Sequence, residues 1–553
     1  MYLTRFNINI LAGLLIIYLE ACLAESESVL KAAQSESVHQ VHIALAGRDE
    51  VDGHSTSMTV SWNTANPTCS RVRFGLNSGE YTEERDGDQN QYWESWNHHV
   101  SLGELKPDTQ YFYQAGCGEN WSEEKSFTSA PLTSSLESEP WDFIAFGDLG
   151  FVNGKPTADY MDKIMHAKNN SDIKLVWHAG DVGYADDSFL HFPCYTRFCY
   201  ERRYDEYMER IQDKWAASKP YMTTPGNHEA DCHSPSCMLS QEKREKLSNF
   251  TAYNARFRMP SLESKGSHNM WYSFNYGNVH FVSIDTETGF PGAVAEKRYV
   301  MPCGGFGDMI SWLEQDLMVA SKPENRRLRP WILVAGHRPF YEESGDSIVT
   351  AEQAALERLM MKYGVAAFIN GHRHFFFRTF PLYNGFLDEN GYQNPKAPFH
   401  LTVGGPGNDE MDNIQRWRRQ LEEHERDKEA NVALPADLSP PDTSAEGARE
   451  SRMLLSSAML DKAADYVNNK GWKVDDALKH VHASMFGSGG GEADSTPSRW
   501  VANEDLDNHV GIARVRVHGS STLKFEYIRT KTGEVFDTWT LTKDNSIYPL
   551  KDL

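Results

Sequence analysis

A chain of 553 residues is too long to fold around one hydrophobic core, so the sequence predicts two or more domains. Apolar residues make up 40% of the chain and charged residues 24%, which is ordinary for globular proteins. The formal net charge of -23 argues against nucleic acid or an anionic membrane surface as a partner, because both would repel it.

The N-terminus has the pattern of a secretory signal. Arg5 precedes an apolar stretch over residues 8–19, and small residues follow before a polar run. We therefore predict a signal peptide over residues 1–24; the alternatives are a buried N-terminal helix and a lipoprotein signal at Cys22, which Glu20 fits badly. The stretch is too short to span a membrane and no other is long enough, so we expect no integral membrane segment in the mature chain. The protein is expected to be secreted, or to reside in a lumen or vacuole.

Seven cysteines follow the predicted signal peptide, and export to an oxidising compartment favours disulfides. Spacing alone does not settle their connectivity. The simplest scheme leaves Cys303 unpaired and joins Cys69 to Cys117, Cys194 to Cys199 and Cys232 to Cys237. Three triplets would accept N-glycans in a eukaryotic cell, at Asn120, Asn169 and Asn249.

Residues 38–131 consist of short alternating segments separated by turns, such as Val41-His-Ile-Ala-Leu45 and Met58-Thr-Val-Ser-Trp62. Alternation at this spacing without a helical pattern predicts a small β-sandwich. The turn before Tyr111 resembles the turn and tyrosine of fibronectin type III modules. Residues 132–140, rich in Ser and Glu, are predicted to be a linker.

Residues 141–407 contain five apolar segments that each lead to a glycine followed by a metal-binding residue type. The pairs are Gly147-Asp148, Gly180-Asp181, Gly226-Asn227, Gly336-His337 and Gly371-His372. Apolar runs of this kind predict buried strands of a sheet covered on both faces. Because ligands of such sheets gather at the carboxyl ends of the strands, the five pairs predict one metal site with two metals.

The composition changes over residues 408–497, where charged, helix-prone stretches flank a Pro-rich segment and a run of glycines closes the region. We predict a surface insertion that is partly helical and partly disordered. Alternation returns over residues 498–546, for example in Ala513-Arg-Val-Arg-Val517. This part is predicted to add edge strands to the catalytic domain.

Taken in order, the five motifs resemble those of purple acid phosphatases, a family of calcineurin-like metallophosphoesterases. They stand here at residues 147–150, 180–184, 226–229, 334–337 and 371–374. Broader metallophosphoesterases carry a His where this chain has Gly150 and an Asp where it has Tyr184, so this exchange is the most specific mark. The resemblance leaves out the insertion. It implies a mixed α+β and α/β fold class: an N-terminal fibronectin III-like β-sandwich followed by a two-sheet α/β metallophosphoesterase domain.

The resemblance also implies a set of metal ligands. Asp148, Tyr184 and His374 would bind Fe(III), Asn227, His337 and His372 would bind a divalent metal, and Asp181 would bridge the two ions. A phenolate is a hard, strongly donating ligand that suits Fe(III), and its charge transfer to iron would colour the protein purple. His and carboxylate donors suit Zn, Mn and Fe alike, so the sequence does not identify the divalent metal.

The implied function is that of a secreted acid phosphatase with two metals. It would hydrolyse phosphate monoesters of small molecules or proteins by direct attack of a metal-bound hydroxide. The catalytic residues would be Asp181 and His228, and the substrate would contact Asn227 and His228. His228 would give a proton to the leaving alkoxide, unless it only orients a ligand. Glu229 is expected to orient a ligand or His228.

The residues expected around the substrate differ from those of plant members of the family. Those members carry further His residues where this chain has acidic residues 342–346, and Ala-Tyr-Glu where it has Phe375, Phe376 and Phe377. The three phenylalanines either line the pocket for an aryl substrate or pack against the sheet. A phosphodiesterase or nucleotide pyrophosphatase and a phytase stay open as alternatives on the same core. An inactive binding module is the non-enzyme alternative, and the oligomeric state cannot be read from the sequence.

Overall fold

The computed structural model describes residues 37–49, 53–132, 139–167, 172–191, 194, 198–287, 303–341, 347–408, 501–505 and 510–544. The predicted signal peptide, residues 133–138 of the predicted linker and the predicted insertion from residue 409 onward lie outside these residues, as do residues 342–346. Within the described part, no helix is both long and apolar enough to cross a membrane.

The N-terminal region forms two antiparallel sheets. Its strands are β1 (His39–Ala46), β2 (Ser57–Thr64), β3 (Arg71–Gly75), β4 (Glu83–Asp86), β5 (Asp88–Tyr92), β6 (Ser95–Leu102), β7 (Gln110–Cys117), β8 (Asn120–Trp121) and β9 (Lys125–Thr128). One sheet has the order β1-β2-β6-β5; the other has the order β4-β3-β7-β8, with β9 paired to β7. Burial alternates along β7, and Trp62, Val72 and Tyr113 lie in the hydrophobic core. This arrangement agrees with the predicted β-sandwich.

The rest of the described chain alternates strands and helices. The strands are β10 (Trp141–Phe146), β11 (Leu149–Gly150), β12 (Ile173–Ala179), β13 (Val182–Gly183), β14 (Tyr221–Thr224), β15 (Tyr272–Tyr276), β16 (Val279–Ser283), β17 (Trp331–Ala335), β18 (Ala367–Asn370), β19 (Phe376–Thr379), β20 (Leu382–Tyr383), β21 (Phe386–Leu387), β22 (Phe399–Val403), β23 (Val501–Asp505), β24 (Gly511–His518), β25 (Thr522–Arg529) and β26 (Glu534–Thr542). The helices are Lys155–Met165, Tyr200–Ile211, Asn227–Ala230, Pro235–Leu239, Gln241–Leu247, Thr251–Arg256, Met309–Ala320, Pro323–Leu328 and Ser347–Lys362, with a 3-10 helix at Asp186–Leu190 and a π-helical turn at Gln212–Ala216.

The first sheet of this region has the order β14-β12-β10-β24-β25-β26. Strands β14, β12 and β10 are mutually parallel, whereas β24 runs antiparallel to β10. The C-terminal strands therefore form half of this sheet: β26 lies at its edge, as predicted, and β24 lies inside it next to β10. The buried Asp142 of β10 explains the pairing, because its carboxylate accepts hydrogen bonds from Arg514 and Arg516 of β24.

The second sheet has the order β15-β16-β17-β18-β22-β19-β23. Strands β16, β17, β18 and β22 are parallel, and every residue of these four strands is buried. Such continuous burial is what an apolar strand without alternation indicates. The fold-class prediction is confirmed, since a two-sheet α/β region follows the N-terminal strands.

Three disulfides cross-link the described chain. They join Cys69–Cys117, Cys194–Cys199 and Cys232–Cys237, which is the simplest scheme drawn from the sequence. Cys303 is the free cysteine among the described residues. The third bond matters for the site below, because it closes a short loop beside Asn227.

Candidate metal centre

The polar residues that follow five strands meet where the two sheets of the α/β region approach each other. β10 leads to Asp148, β12 to Asp181, β14 to Asn227, β17 to His337 and β18 to His372. The approach is direct, because Nδ1 of His337 lies 2.9 Å from the carbonyl oxygen of Ala179 at the end of β12. Each sheet therefore brings the carboxyl ends of its parallel strands to one point.

One group of donors surrounds the hydroxyl of Tyr184. This hydroxyl donates to Oδ1 of Asp148 at 2.9 Å and lies 3.0 Å from Nε2 of His374. Nε2 of His374 is 3.4 Å from the same oxygen of Asp148. These three side chains are the predicted Fe(III) ligands, and the structure brings them together.

A second group surrounds the side-chain oxygen of Asn227. This Oδ1 lies 3.0 Å from Nε2 of His337 and 2.9 Å from Nδ1 of His372. Asp181 contacts both groups, because its Oδ2 is 2.9 Å from Nε2 of His337 and 3.2 Å from the hydroxyl of Tyr184. We call the seven residues the donor ring: Asp148, Asp181, Tyr184, Asn227, His337, His372 and His374.

The donor ring fits metal ions in chemistry and in spacing. Nitrogen and oxygen ligands bind ions such as Zn²⁺ at about 2.0–2.2 Å, so neighbouring donors of one ion stand about 3 Å apart. The contacts within both groups lie at 2.9–3.4 Å. Asp181, His337 and His372 in particular offer donor atoms within one ion-sized shell.

The surrounding charges shift the pKa values of two ring histidines in opposite directions. Burial lowers the pKa of His337, but the carboxylates of Asp181 and Asp148 outweigh burial and raise that pKa to about 10. Burial and the neighbouring Arg338 both hold the pKa of His372 well below its ordinary value, so its ring is neutral. Metal binding at such a site would displace the proton of His337, since ligands bind in their deprotonated form.

Four members of the donor ring have left-handed backbones, which non-glycine residues rarely adopt. The φ angles are 61° at Asp148, 56° at Asp181, 51° at Tyr184 and 66° at His372. Such conformations cost about 1–3 kcal/mol each and persist only where the surroundings enforce them. Here backbone hydrogen bonds do so, for example from the N–H of Asp148 to the carbonyl of Gly180 at 2.9 Å. Ten other described non-glycine residues also have positive φ, so this strain is not confined to the ring, but it falls on four of the seven ring members.

The glycines of the motifs make room for ligands of other motifs. A Cβ atom at Gly226 would lie 2.3 Å from Oδ1 of Asp181, and one at Gly371 would lie 2.2 Å from Oδ2 of Asp148. Any side chain at either position would push a carboxylate out of the ring. This close approach explains why glycine precedes the donors at residues 227 and 372.

Glu229 supports the ring through hydrogen bonds to the backbone of the turns that carry ring residues. Its carboxylate accepts hydrogen bonds from the backbone N–H groups of Asp181, Val182 and Gly226 at 2.8–2.9 Å. Burial and the charge of Asp181 raise the pKa of Glu229 to about 8. Glu229 therefore fixes the turns that carry Asp181 and Asn227, in line with the expected orienting role.

His228 lies beside the ring without belonging to it. Its Nε2 is 3.9 Å from Oδ2 of Asp181, and its ring packs on that of Tyr184 with centroids 4.3 Å apart. Its Nδ1 is turned the other way and lies 2.9 Å from Oδ1 of Asp186. Burial lowers the pKa of His228, but the carboxylates of Asp186 and Asp181 outweigh it and raise that pKa well above the ordinary value.

Sequence reasoning missed two residues that contact His228 or its partner. Asp186 and His233 share a contact, with Nδ1 of His233 3.0 Å from Oδ2 of Asp186. We call Asp186, His228 and His233 the histidine cluster. The available signals were weak: Asp186 follows the second motif closely, and His233 adjoins the half-cystine Cys232.

Arg338 and Glu287 are further residues that sequence reasoning missed. Arg338 directly follows His337, and its Nη1 lies 2.8 Å from Nε2 of His372. Its Nε donates to the buried carboxylate of Glu287 at 2.9 Å. The position after the fourth motif was a usable signal for Arg338, whereas Glu287 follows β16 without any motif that would single it out.

The three phenylalanines after the fifth motif pack rather than line a pocket. Phe376 is fully buried and stacks on Tyr527 with ring centroids 4.1 Å apart. Phe377 is buried as well, and Phe375 is partly buried against the same core. The structure thus favours the packing alternative for this segment.

The fold and the buried donor ring together define a metallophosphoesterase. Residues 142–376 match the family model described as calcineurin-like phosphoesterase. Residues 38–129 match the purple acid phosphatase N-terminal domain, and residues 485–538 match the iron/zinc purple acid phosphatase-like protein C model.

Curated relatives agree with these matches. Acid phosphatase A of Cryphonectria parasitica is 31% identical over 452 residues, which cover 72% of this chain and 86% of that protein. Acid phosphatase type 7 of Danio rerio is 33% identical, with 66% of this chain and 78% of that protein covered. Purple acid phosphatase 21 of Arabidopsis thaliana is 30% identical, with 67% of this chain and 72% of that protein covered.

Among solved structures, purple acid phosphatase PPD1 from yellow lupin seeds shares the fold, with a TM-score of 0.61 and 18% identity over 92% of this chain and 75% of that one. The chain belongs to the purple acid phosphatase family. The predictions of family and of an acid phosphatase enzyme are thereby confirmed.

Proposed function

We propose that this protein is a secreted acid phosphatase that hydrolyses phosphate monoesters at a two-metal centre formed by the donor ring. One observation carries the proposal: the carboxylate of Asp181 contacts side chains of both groups of donors. A carboxylate shared in this way suits a bridging role between two ions. The mixture of phenol, carboxylate, amide and imidazole donors suits one hard and one borderline ion.

The two groups differ in the ion that they suit. Asp148, Tyr184 and His374 would hold Fe(III), because a phenolate and a carboxylate are hard anionic donors. Asn227, His337 and His372 would hold Zn, Mn or Fe in the divalent state, since two imidazoles and an amide carry no charge. Bound there, the pair of ions would neutralise phosphate charge and supply an acidified water as nucleophile.

His228 is placed to serve the leaving group. Its Nε2 faces the ring, at 3.9 Å from Oδ2 of Asp181, while Asp186 holds its Nδ1. The carboxylates around it favour the protonated imidazole. We therefore assign His228 to contact the phosphate and to give the proton on Nε2 to the leaving alkoxide as the ester P–O bond breaks. Asn227, which precedes it on the same short helix, would contact the substrate as well.

The charges near the ring favour a simple monoester over a highly phosphorylated substrate. Among the described residues, Arg338 contacts His372 and pairs with the buried carboxylate of Glu287, and the charge of Arg373 also acts on His372. The attraction for phosphate would therefore come mainly from the ions. A phytase would need several uncompensated cations around its pocket, because its substrate carries many phosphates.

Secretion is supported by the cysteines as well as by the predicted signal peptide. Three disulfides among the described residues suit an oxidising compartment. Of the three candidate glycan sites, Asn120 is exposed, whereas the side chain of Asn249 accepts a hydrogen bond from the N–H of Gly304 at 2.8 Å. Asn169 lies outside the described residues. We expect Asn120 to be the better acceptor.

The test combines metal analysis, colour and substrate choice. Protein purified without chelators should carry about two metal ions per chain, one of them iron, as a two-metal site requires. It should absorb visible light and cleave p-nitrophenyl phosphate faster than bis(p-nitrophenyl) phosphate. Faster cleavage of the bis-ester would instead establish the phosphodiesterase alternative, and colour without turnover would establish a binding module.

Tyr184→Phe tests the iron assignment directly. Loss of the phenolate should abolish the visible band while Tyr160→Phe, a substitution on the helix Lys155–Met165, leaves it intact. A visible band that survives in Tyr184→Phe would refute the ligand role of Tyr184.

A further inference from the structure

The histidine cluster brings three metal-binding side chains together outside the donor ring. Asp186 lies at the start of the 3-10 helix Asp186–Leu190, His228 on the helix Asn227–Ala230, and His233 in the loop between Cys232 and Cys237. All three are shielded from solvent, with side-chain exposures of 1%, 4% and 9% respectively. The three segments have no common strand or sheet, so their convergence is a property of the folded loops.

The donor atoms of the cluster face one another. Nδ1 of His228 is 2.9 Å from Oδ1 of Asp186, and Nδ1 of His233 is 3.0 Å from Oδ2. The two ring nitrogens are 3.2 Å apart, with the ring planes at 82°. Donors of a tetrahedral Zn²⁺ site, with bonds of about 2.0–2.1 Å, stand about 3.3 Å apart. The cluster is therefore within a few tenths of an ångström of that spacing.

The charge around the cluster also matches a dication. The carboxylate of Asp187 is 1% exposed, and its Oδ2 lies 3.8 Å from Nδ1 of His228. Asp186 and Asp187 thus place two buried negative charges beside two imidazoles. A divalent cation with two neutral imidazoles would balance the negative charge of these two carboxylates.

A disulfide and a hydrogen bond within the protein hold the loop that carries His233 in place. The disulfide Cys232–Cys237 closes this loop, and its first cysteine directly precedes His233. The backbone N–H of His233 donates to Oδ2 of Asp186 at 3.0 Å. Both restraints fix the position of the imidazole relative to the carboxylate. A ligand ordered in this way loses little conformational entropy on binding.

We propose that Asp186, His228 and His233 form an additional site for a divalent transition-metal ion of the Zn²⁺ type, and that its occupation inhibits the enzyme. The site is distinct from the donor ring, because the Nδ1 of His228 faces the cluster while Nε2 faces Asp181. An ion on Nδ1 would replace the direct contact of that nitrogen with Asp186 and hold the ring of His228 in one position beside the donor ring, which would hinder its contact with the substrate. The inhibitory part rests on the proposed role of His228; the binding part does not.

The experiment uses the purified holoenzyme with its resident metals and added ZnCl₂ as the probe. Zinc content after removal of free zinc measures binding, and p-nitrophenyl phosphate hydrolysis measures inhibition. The wild type should take up about one extra zinc per chain and lose activity in parallel. His233→Gln should keep turnover without added zinc, lose the extra zinc and need at least about tenfold more zinc for half-inhibition.

The matched control is His268→Gln, since His268 is an exposed histidine whose ring contacts Phe306 away from both sites. It should bind and respond to zinc like the wild type. Asp186→Asn provides a second test of binding and should also lose the extra zinc, with thermal unfolding used to check that each variant folds.

Two results would overturn the proposal. An extra zinc that persists in both His233→Gln and Asp186→Asn would place it elsewhere. Inhibition that persists in His233→Gln after the extra zinc is lost would separate inhibition from this site. Because zinc content requires no turnover, failure of the proposed phosphatase function would leave the binding result readable.

Discussion

The donor ring and the histidine cluster lie side by side but are built differently. The ring takes five of its members from positions directly after strands of two sheets, where the rigid strand ends fix them. The cluster takes its members from a 3-10 helix, a single helical turn and a disulfide-closed loop. Strand ends hold the ring at fixed distances, whereas the cluster depends on a shared carboxylate and one cross-link.

The two regions also differ in backbone strain. Four ring members have left-handed φ angles, and packed glycines and Glu229 enforce them. Asp186 and His228 have helical backbones instead. Several neighbouring groups therefore hold each strained ring residue in place. By contrast, we expect that substitution of one residue of the histidine cluster leaves the sheets intact. The predictions below test this difference, beginning with the ring.

Asp181→Ala should have the largest effect. One carboxylate contacts both donor groups, so its loss should release both ions and reduce turnover by on the order of a thousandfold or more. Metal analysis and p-nitrophenyl phosphate hydrolysis measure the two effects. Asp159→Ala, at a half-exposed aspartate with surface ion pairs, is the matched control and should behave as wild type. Retention of both ions in Asp181→Ala would contradict the bridging role.

His228→Ala should rank next. Loss of a positioned proton donor slows a reaction by about 10²–10⁴-fold. Because His228 lies outside the ring, metal content and colour should stay near the wild-type values. Turnover is compared for leaving groups of different basicity, and the defect should be larger for alkyl than for aryl phosphates. A drop in metal content would show instead that His228 is structural.

Glu229→Gln should weaken the ring from outside it. The amide cannot accept all the backbone N–H groups that the carboxylate accepts from residues 181, 182 and 226. We expect metal affinity to fall by about 10–100-fold, which chelator competition measures. An unchanged affinity would mean that the strained turns hold themselves without Glu229.

Replacing both Cys232 and Cys237 by Ser should affect the cluster and spare the ring. The loop that carries His233 would gain freedom, so inhibition by added zinc should weaken while colour and resident metal content persist. The comparison is made on the same preparations as those used for His233→Gln. Loss of colour in the double variant would show that the disulfide supports the ring as well.

Deletion of about residues 409–495 should have the smallest effect, because no member of the ring or the cluster lies there. Metal content and turnover of the shortened protein should be close to those of the full chain. A collapse of the metal content would show that the predicted boundary of the insertion is wrong. The boundary itself lies outside the described residues and stays a prediction.

The sequence predicts the ring better than its surroundings, for a physical reason. A buried strand that ends in glycine and a donor is a local pattern, so Asp148, Asp181 and His337 could be named before any contact was known. The partners of Nδ1 of His228 depend on how three loops meet, which no spacing records. The same holds for Glu287, whose contact with Arg338 joins two separate loops.

Strand pairing gives a second example of this limit. Alternation identified the C-terminal strands, and β23 and β26 are edge strands as predicted, but it did not show that β24 occupies the middle of its sheet. Its position depends on Asp142, whose carboxylate meets Arg514 across 372 positions of sequence. The sequence pattern of a single strand shows which of its faces is buried, but it does not show which strand pairs with it.

That pairing sets the order of events during synthesis. A ribosome makes β10 long before β24, so the strand that leads to Asp148 lacks one of its two neighbours until almost the whole chain has emerged. If the donor ring binds metal as proposed, that binding would follow the pairing of β10 with β24, and a stalled nascent chain would present scattered carboxylates and imidazoles rather than a formed metal site.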